Sequence, residues 1–210
     1  PAKDIILPQS YRVPGAVQNI ANNILNRIPD HRRIKKYWKP REDVLLPIVQ
    51  YVSSIEDVPL NLGDWLILAR TNDKLTKLKP ILKDMGIYFE IKGRKSYRTR
   101  LYKSIMDYTR WTNGDQLSLS EIKDLFEFLE EEVPTEEIMY DLSKWGYSKT
   151  QRWFEVFKAD PEECLYIREM MRNEEKLKED PRVKLQTIHA AKGGEANNVL
   201  IILDNTKKIR

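Results

Sequence analysis

Two short segments, far apart in the chain, hold residue types that could bind a ligand. Residues 7–14 place a tyrosine and an arginine, Tyr11 and Arg12, after an apolar run that is expected to form a strand. Residues 183–195 end a second expected strand in a loop with His189, a lysine, two glycines and a glutamate. Ligands of open α/β sheets bind where strands end, and a glycine-containing loop lets backbone N–H groups and a cation approach a phosphate. The two segments therefore predict a binding site for a phosphate-containing ligand.

The chain lacks the residues of a complete nucleotide-hydrolysing site. A phosphate loop needs closely spaced glycines followed by a lysine and a hydroxyl, and the sequence contains no Gly-Lys pair. Asp204 follows an apolar run as a metal-binding acid would, although an ordinary strand end is the favoured interpretation. No arrangement of serine, histidine and acid stands out. The isolated chain is therefore expected to hydrolyse nothing.

Composition limits the class of protein. With 210 residues, 41% of them hydrophobic and 32% charged, the chain suits one globular domain with or without an insertion. The lone Cys164 and two histidines offer no zinc cluster, so no metal site is expected. No apolar run reaches the roughly 20 residues that span a bilayer, and no secretory signal opens the sequence, which favours an intracellular protein.

Charge is distributed unevenly along the sequence. The formal net charge of +4 is too small to identify a nucleic-acid partner. Six of the twelve residues 92–103 are nevertheless basic. The part of this run at 92–100 is expected to be either a surface that follows a nucleic-acid backbone or a solvated turn.

Apolar patterning predicts the elements that must position these residues. Short apolar runs bounded by polar residues predict five strands, at 4–7, 65–69, 87–91, 183–188 and 199–203. Helical spacing predicts helices over 15–27 and 73–85. Strands that alternate with helices indicate a parallel α/β sheet. Residues 29–41, rich in proline and basic side chains, are expected to be an exposed loop.

The middle of the chain, residues 102–178, has a different pattern. Its apolar spacing predicts helices without a strand, among them helices over 115–132 and 161–179. Pro134 precedes a further predicted helix start at 135–137. This block is expected to be a helical insertion between two parts of the α/β domain.

Four segments, in this order, resemble those of the second motor domain of UvrD/Rep-type superfamily 1 DNA helicases. That domain begins with Gln-x-Tyr-Arg, found here at residues 9–12. An Arg-Thr-Asn segment follows at 70–72, and a glycine-containing turn at 91–97. A Thr-x-His-x-x-Lys-Gly-x-Glu segment comes last, at 187–195. Four ordered matches are more specific than any one of them.

The resemblance implies a RecA-like parallel sheet flanked by helices, with a small all-helical insertion. Residues 1–108 and 182–210 would form the two parts of the motor domain, and 109–181 the insertion, with the chain ending before the family's last motif. The full-length protein would be an ATP-dependent DNA helicase. Its implied partners are single-stranded DNA and a first RecA-like motor domain of the same protein, without a membrane.

The resemblance also implies a shared ATP site. ATP with Mg²⁺ would lie between the two motor domains, with the metal held mainly by the first. Arg12 would reach the γ-phosphate and act catalytically, because its fixed charge stabilises the transferred phosphoryl group. Tyr11 would lie against the adenine, and Glu195 would accept a hydrogen bond from the ribose. Gln9 and Gly193 complete the expected ATP contacts.

The protein is expected to be a monomer in the cytoplasm of a bacterial or phage-infected cell.

Five residues are implied as contacts to single-stranded DNA. Arg70 and Asn72 come from the Arg-Thr-Asn segment. Thr187 and His189 come from the later segment and would touch the DNA backbone. Lys192 belongs to the same loop and would contact a phosphate of either the DNA or the nucleotide.

Two other functions stay open on the sequence. The chain could be a helicase-like module of a repair or recombination complex that binds DNA without acting as a motor. It could also be an α/β interaction domain that docks a protein through its helical middle. Exposed aromatic residues there would favour the docking function, although a place in the core is the favoured interpretation for Trp145, Trp153, Phe154 and Phe157.

Overall fold

The structure is a computed structural model that describes residues 8–32, 37–42, 48–136 and 138–203. The chain divides into two compact units, Pro1–Val58 and Pro59–Arg210. The predicted strand at 4–7 and the predicted strand end at Asp204 lie outside the described residues. None of the helices in the described part is long and apolar enough to cross a membrane.

The described residues of the first unit form a two-stranded parallel sheet and one α-helix. Its elements are β1 (Gln9–Pro14), α1 (Gly15–Leu25) and β2 (Lys39–Arg41), with short 3₁₀ helices at Asp30–Arg32 and Ile55–Asp57. The predicted helix over 15–27 is confirmed. The predicted loop over 29–41 is wrong at its end, because its last three residues pair with β1. Buried Gln18 holds this end in place by donating to the Trp38 carbonyl oxygen at 2.7 Å.

The Gln-x-Tyr-Arg segment lies within a strand and not in the loop after one. β1 continues through Tyr11 and Arg12 to Pro14, and α1 begins at the next residue. The Gln9 side chain donates to the Pro40 carbonyl oxygen at 2.7 Å, across to β2. β1 therefore belongs to the small sheet of the first unit, and not to the larger sheet of the second.

The second unit is mixed α/β, with a mostly parallel five-stranded sheet flanked by helices. Its described strands lie in the order β5-β4-β6-β3-β7, and among them only β5 runs antiparallel to its neighbour. The strands are β3 (Trp65–Ala69), β4 (Phe89–Ile91), β5 (Arg94–Lys95), β6 (Val183–Thr187) and β7 (Asn198–Ile201). Strands are thus confirmed at all four places predicted in this unit.

The centre of the sheet forms the core because β3 is a continuous apolar run, as buried parallel strands usually are, and β6 buries alternate residues. Ile67, Val183 and Leu185 are almost fully buried. Helix α2 (Asn72–Asp84) covers one face and buries Leu75 and Leu82 there. The helix predicted over 73–85 is confirmed.

The helical segment predicted between residues 102 and 178 is confirmed. It contains α3 (Thr99–Thr112), α4 (Leu119–Leu129), a 3₁₀ helix at Leu142–Trp145, α5 (Trp153–Val156) and α6 (Pro161–Arg172). Helix α4 begins at a capping box, in which Ser118 and Glu121 satisfy each other's backbone N–H groups. Trp153 and Phe157 are buried, whereas Phe154 is 37% exposed.

A helix start at 135–137 is wrong for the described residues there. Leu117 and Tyr140 exchange two backbone hydrogen bonds of 2.9 and 2.7 Å as an isolated antiparallel bridge. Tyr140 therefore pairs with the residue just before the N-cap of α4. The local sequence is charged and favours a helix, but the backbone pairing of Tyr140 with the distant Leu117 determines the structure here.

Candidate functional site

The Arg-Thr-Asn segment and the loop after β6, residues 188–195, meet at one edge of the five-stranded sheet. This loop contains His189 and is called the histidine loop below. Strands β3 and β6 are parallel neighbours, with Ala69 opposite Thr187. The pairing continues one step beyond the strands, since the Ile188 N–H donates to the Ala69 carbonyl oxygen at 3.0 Å. Neighbouring strands lie about 4.8 Å apart, so Arg70 and His189 leave the sheet side by side.

The chain leaves these two strands in opposite directions. From β3 it crosses β6 to reach β4, and from β6 it crosses β3 to reach β7. Where the connections from two neighbouring parallel strands run in opposite directions, a crevice forms at the carboxyl ends of the strands, and ligands of α/β proteins bind there. The predicted DNA contacts therefore surround such an edge.

The Arg-Thr-Asn segment forms the junction of β3 and α2. Thr71 is the N-cap of α2 with extended backbone, and its side chain caps no helix N–H group. Arg70 and Asn72 are exposed on either side of it. The first turn of a helix presents backbone N–H groups and a partial positive charge, both of which favour an anion. The junction thus combines a guanidinium, an amide and helix N–H groups.

The loop after β6 is a pair of consecutive turns. Thr187 closes the first turn, since its Oγ1 accepts from the Ala190 N–H at 3.2 Å and its carbonyl oxygen accepts from the Ala191 N–H at 3.0 Å. The second turn needs Gly193, whose φ of 84° is in the left-handed region. A Cβ on Gly194 would approach the Ala191 carbonyl oxygen to 3.1 Å. The loop exposes His189 and Lys192 to solvent.

The candidate edge offers hydrogen-bond donors and positive charge in place of metal ligands. Arg70 and Lys192 are cations, Asn72 donates through its amide, and Thr187 supplies a hydroxyl. Within the described ranges, no group of three His, Cys, Asp or Glu residues is placed to hold a metal ion. The edge is therefore suited to phosphate oxygens, which accept hydrogen bonds and carry negative charge.

The expected ATP contacts are divided between the two units. Gln9, Tyr11 and Arg12 lie on β1 in the first unit, where the Tyr11 side chain is 83% exposed. Gly193 and Glu195 lie in the histidine loop of the second unit. Gln9 already donates its amide to the backbone of β2. The joint role of these five residues stays a prediction.

The basic run at 92–100 divides into two electrostatically different parts. Arg98 pairs with Glu127, and Arg100 pairs with both Asp124 and Glu127, so the acidic face of α4 neutralises this end. The other end, at 92–95, forms the β4–β5 turn and carries three basic residues. Only this second part is suited to an external anion.

Sequence reasoning missed two basic residues beside that turn. Lys79 and Lys83 lie one turn apart on α2 and face the β4–β5 hairpin across a cavity. The signal was present, because lysines four residues apart on a predicted helix share a face. Which face of the helix looks toward the basic turn depends on the tertiary packing, and the lysine spacing does not contain that information.

Comparison of the chain with known protein families, curated proteins and solved structures finds no match.

Proposed function

We propose that this chain is a RecA-like second motor domain of an ATP-driven translocase of the UvrD/Rep type, which moves along single-stranded DNA and separates strands. One observation is the main support for this proposal. Two segments more than a hundred residues apart, around Arg70 and around His189, leave adjacent parallel strands at the same edge. The DNA residues implied by the resemblance thus share one surface.

In this role, the edge binds the backbone of a single strand. Arg70 and Lys192 neutralise phosphates, and Asn72 and Thr187 hold phosphate oxygens through hydrogen bonds. His189, exposed beside them, contacts the same backbone. Contacts of this kind position the strand without identifying its sequence, as a translocase requires.

The ATP part of the role falls on the first unit and on the histidine loop. The Arg12 guanidinium stabilises the transferred γ-phosphoryl group, and the exposed Tyr11 ring stacks on the adenine. Gln9, Gly193 and Glu195 complete the nucleotide contacts. A first RecA-like domain supplies the phosphate loop and most of the Mg²⁺ ligands.

Two variants test the DNA-binding part and the ATP part of the proposal separately. In the Arg70→Ala/His189→Ala variant we expect affinity for a labelled single-stranded oligonucleotide to fall about tenfold or more, because the lost guanidinium–phosphate hydrogen bond of Arg70 alone costs about 1.5–3 kcal/mol. In the full-length protein, Arg12→Ala should lower the kcat of ATP hydrolysis about a thousandfold and leave DNA affinity unchanged. Arg172→Ala is the control for a lost surface arginine, since this side chain on α6 is 77% exposed.

A different result would contradict each part of the proposal: DNA binding by the edge, catalysis by Arg12 and the motor activity. Undiminished DNA affinity of the double variant would remove the edge from DNA binding. Unchanged hydrolysis by Arg12→Ala would remove the catalytic arginine. DNA binding through the edge by a full-length protein that hydrolyses no ATP would replace the motor with a non-motor DNA-binding module.

A further inference from the structure

A cavity of about 660 Å³ lies between α2 and the β4–β5 hairpin, and we name it the basic groove. Its α2 wall carries Thr76, Lys79 and Lys83, which share one helix face. The hairpin wall carries Lys92, Arg94, Lys95 and Ser96, over buried apolar residues Phe89 and Ile91. Five of the nine lining residues are basic and none is acidic.

Two of the five cations have partners within the protein. Lys83 pairs with Glu163 at 2.7 Å and lies 5.0 Å from the centroid of the Tyr166 ring. Lys95 lies over the Tyr88 ring at 5.9 Å. These contacts make the two lysines less available to an external anion than the other cations of the groove.

The other three cations of the groove are Lys79, Lys92 and Arg94. Across the described ranges, no carboxylate lies within ion-pair distance of any of them. Arg98 and Arg100, a few residues along the chain, are by contrast neutralised by α4. Like charges on two facing walls repel each other, so an anion between them would be bound favourably.

The backbone at the mouth of the groove also favours the binding of an anion. Lys92 and Gly93 join β4 to β5 in a two-residue turn, with φ angles of 54° and 73°. Glycine, asparagine and aspartate are the usual residues of such turns, and lysine is disfavoured in the left-handed region. A disfavoured residue that places a cation at the rim indicates a functional constraint.

We propose that the basic groove binds the phosphodiester backbone of a single-stranded nucleic acid, through Lys79, Lys92 and Arg94. Strands β4, β6 and β3 are parallel, so Lys92 leaves β4 at the same edge where His189 and Arg70 leave their strands. One chain of phosphates can therefore continue from that edge into the groove. The choice of a nucleic acid as ligand rests on the proposed function, whereas the anion chemistry rests on the groove alone.

The salt dependence of binding measures these contacts. Each neutralised phosphate of a single strand contributes about −0.7 to the slope of log K against log salt concentration. Fluorescence anisotropy with labelled oligothymidylate between about 50 and 200 mM salt should therefore give a slope shallower by about 2 for Lys79→Gln/Lys92→Gln/Arg94→Gln. The matched control is Arg98→Gln/Arg100→Gln/Lys103→Gln, which removes three charges that α4 already neutralises. Its slope should equal that of the unsubstituted chain.

Three outcomes separate the possibilities. A groove variant with the unsubstituted slope and an unchanged circular dichroism spectrum would overturn the inference. Loss of inorganic tripolyphosphate binding, with oligothymidylate binding retained, would show a site for free phosphates and overturn the choice of a strand. A reduced slope in the groove variant would support the groove even where Arg70→Ala/His189→Ala binds DNA normally, a result that would contradict only the proposed edge.

Discussion

At the scale of single residues, Asp141 has a structural role that no sequence motif indicated. Its Oδ1 accepts from the indole N–H of the fully buried Trp111 at 2.9 Å and from the Ser143 N–H at 3.0 Å. One carboxylate thus satisfies a core tryptophan and caps the 3₁₀ helix that follows it. These bonds, first the one from the Ser143 backbone and then that from Trp111, lower the pKa of Asp141 from its ordinary 3.8 to about 2.

Replacement of Asp141 should therefore destabilise the helical segment. Asp141→Ala leaves the Trp111 N–H buried without a partner, at a cost of about 1–3 kcal/mol in the free energy of unfolding. Asp141→Asn keeps an acceptor oxygen and should lose less. Urea unfolding followed by tryptophan fluorescence measures both. Equal stability of Asp141→Ala and the unsubstituted chain would contradict this role.

The lowered pKa also sets the sign of a pH effect. An acid whose pKa is lower in the folded state contributes stability above its unfolded pKa and loses it as pH falls through the folded value. The difference between the unsubstituted chain and Asp141→Asn should therefore be complete above about pH 4 and shrink toward pH 2. A difference that grows as the pH falls would contradict the assignment.

At the scale of elements, the end of α2 depends on Gly86. The Gly86 N–H donates to the Lys83 carbonyl oxygen and the Ile87 N–H to that of Leu82, a Schellman motif with Gly86 at φ 64°. Helix α6 packs directly on this glycine. An added Cβ would approach Asn173 Nδ2 to 2.6 Å and the backbone carbonyl carbon of Glu169 to 3.1 Å.

Gly86→Ala and Gly93→Ala form a matched pair. Both glycines have φ near 70°, but no atom lies within 4 Å of a Cβ built on Gly93. Left-handed backbone should cost each alanine variant about 1–2 kcal/mol. Gly86→Ala should lose a further 1–3 kcal/mol, approximately, because α6 must move. Chemical denaturation of the two variants measures the difference, and equal losses would show that α6 yields without cost.

The elements that were predicted correctly from the sequence are those whose own residues have a clear strand or helix pattern. β3 is a continuous apolar run, β6 alternates apolar residues that are buried with polar ones, and α2 has an apolar stripe that buries Leu75 and Leu82. Lys39–Arg41 has no such pattern, and it becomes a strand because β1 and Gln18 supply partners for its backbone. Helix α6 ends at Arg172, earlier than predicted, because Asn173 turns to hold the carbonyl oxygens of Met85 and Gly86.

At the scale of the whole molecule, the candidate sites also depend on contacts between distant residues, which the sequence alone does not predict. The order of the segments allowed the residues around Arg70 and His189 to be named, and the parallel pairing of their strands explains why they meet. Lys79 became part of the basic groove only through the packing of α2 against a hairpin. Neither spacing nor composition contains that orientation, and the acidic partners of Arg98 and Arg100 were hidden for the same reason.

The helical segment and the sheet of the second unit are joined by buried hydrogen bonds. Tyr166 on α6 donates its hydroxyl to the Ile87 carbonyl oxygen at 2.7 Å and lies 2.6 Å from Ser96 Oγ. Tyr97 donates to the Leu177 carbonyl oxygen at 2.8 Å, again between the two parts. Bonds of this kind between a segment and a sheet favour one cooperative unit over two independent domains.

Hydrogen exchange of Tyr166→Phe tests that cooperativity. The substitution leaves a buried carbonyl oxygen without its donor, at a cost of about 1–3 kcal/mol. If Pro59–Arg210 unfolds as one unit, the opening free energies of peptides from β3, β6 and α6 should fall by the same amount. Tyr11→Phe, which alters an exposed hydroxyl in the first unit, should leave those peptides unchanged. Faster exchange confined to α6 would instead show that the insertion predicted at 109–181 opens as a domain of its own, because the sheet would then keep its full protection without it.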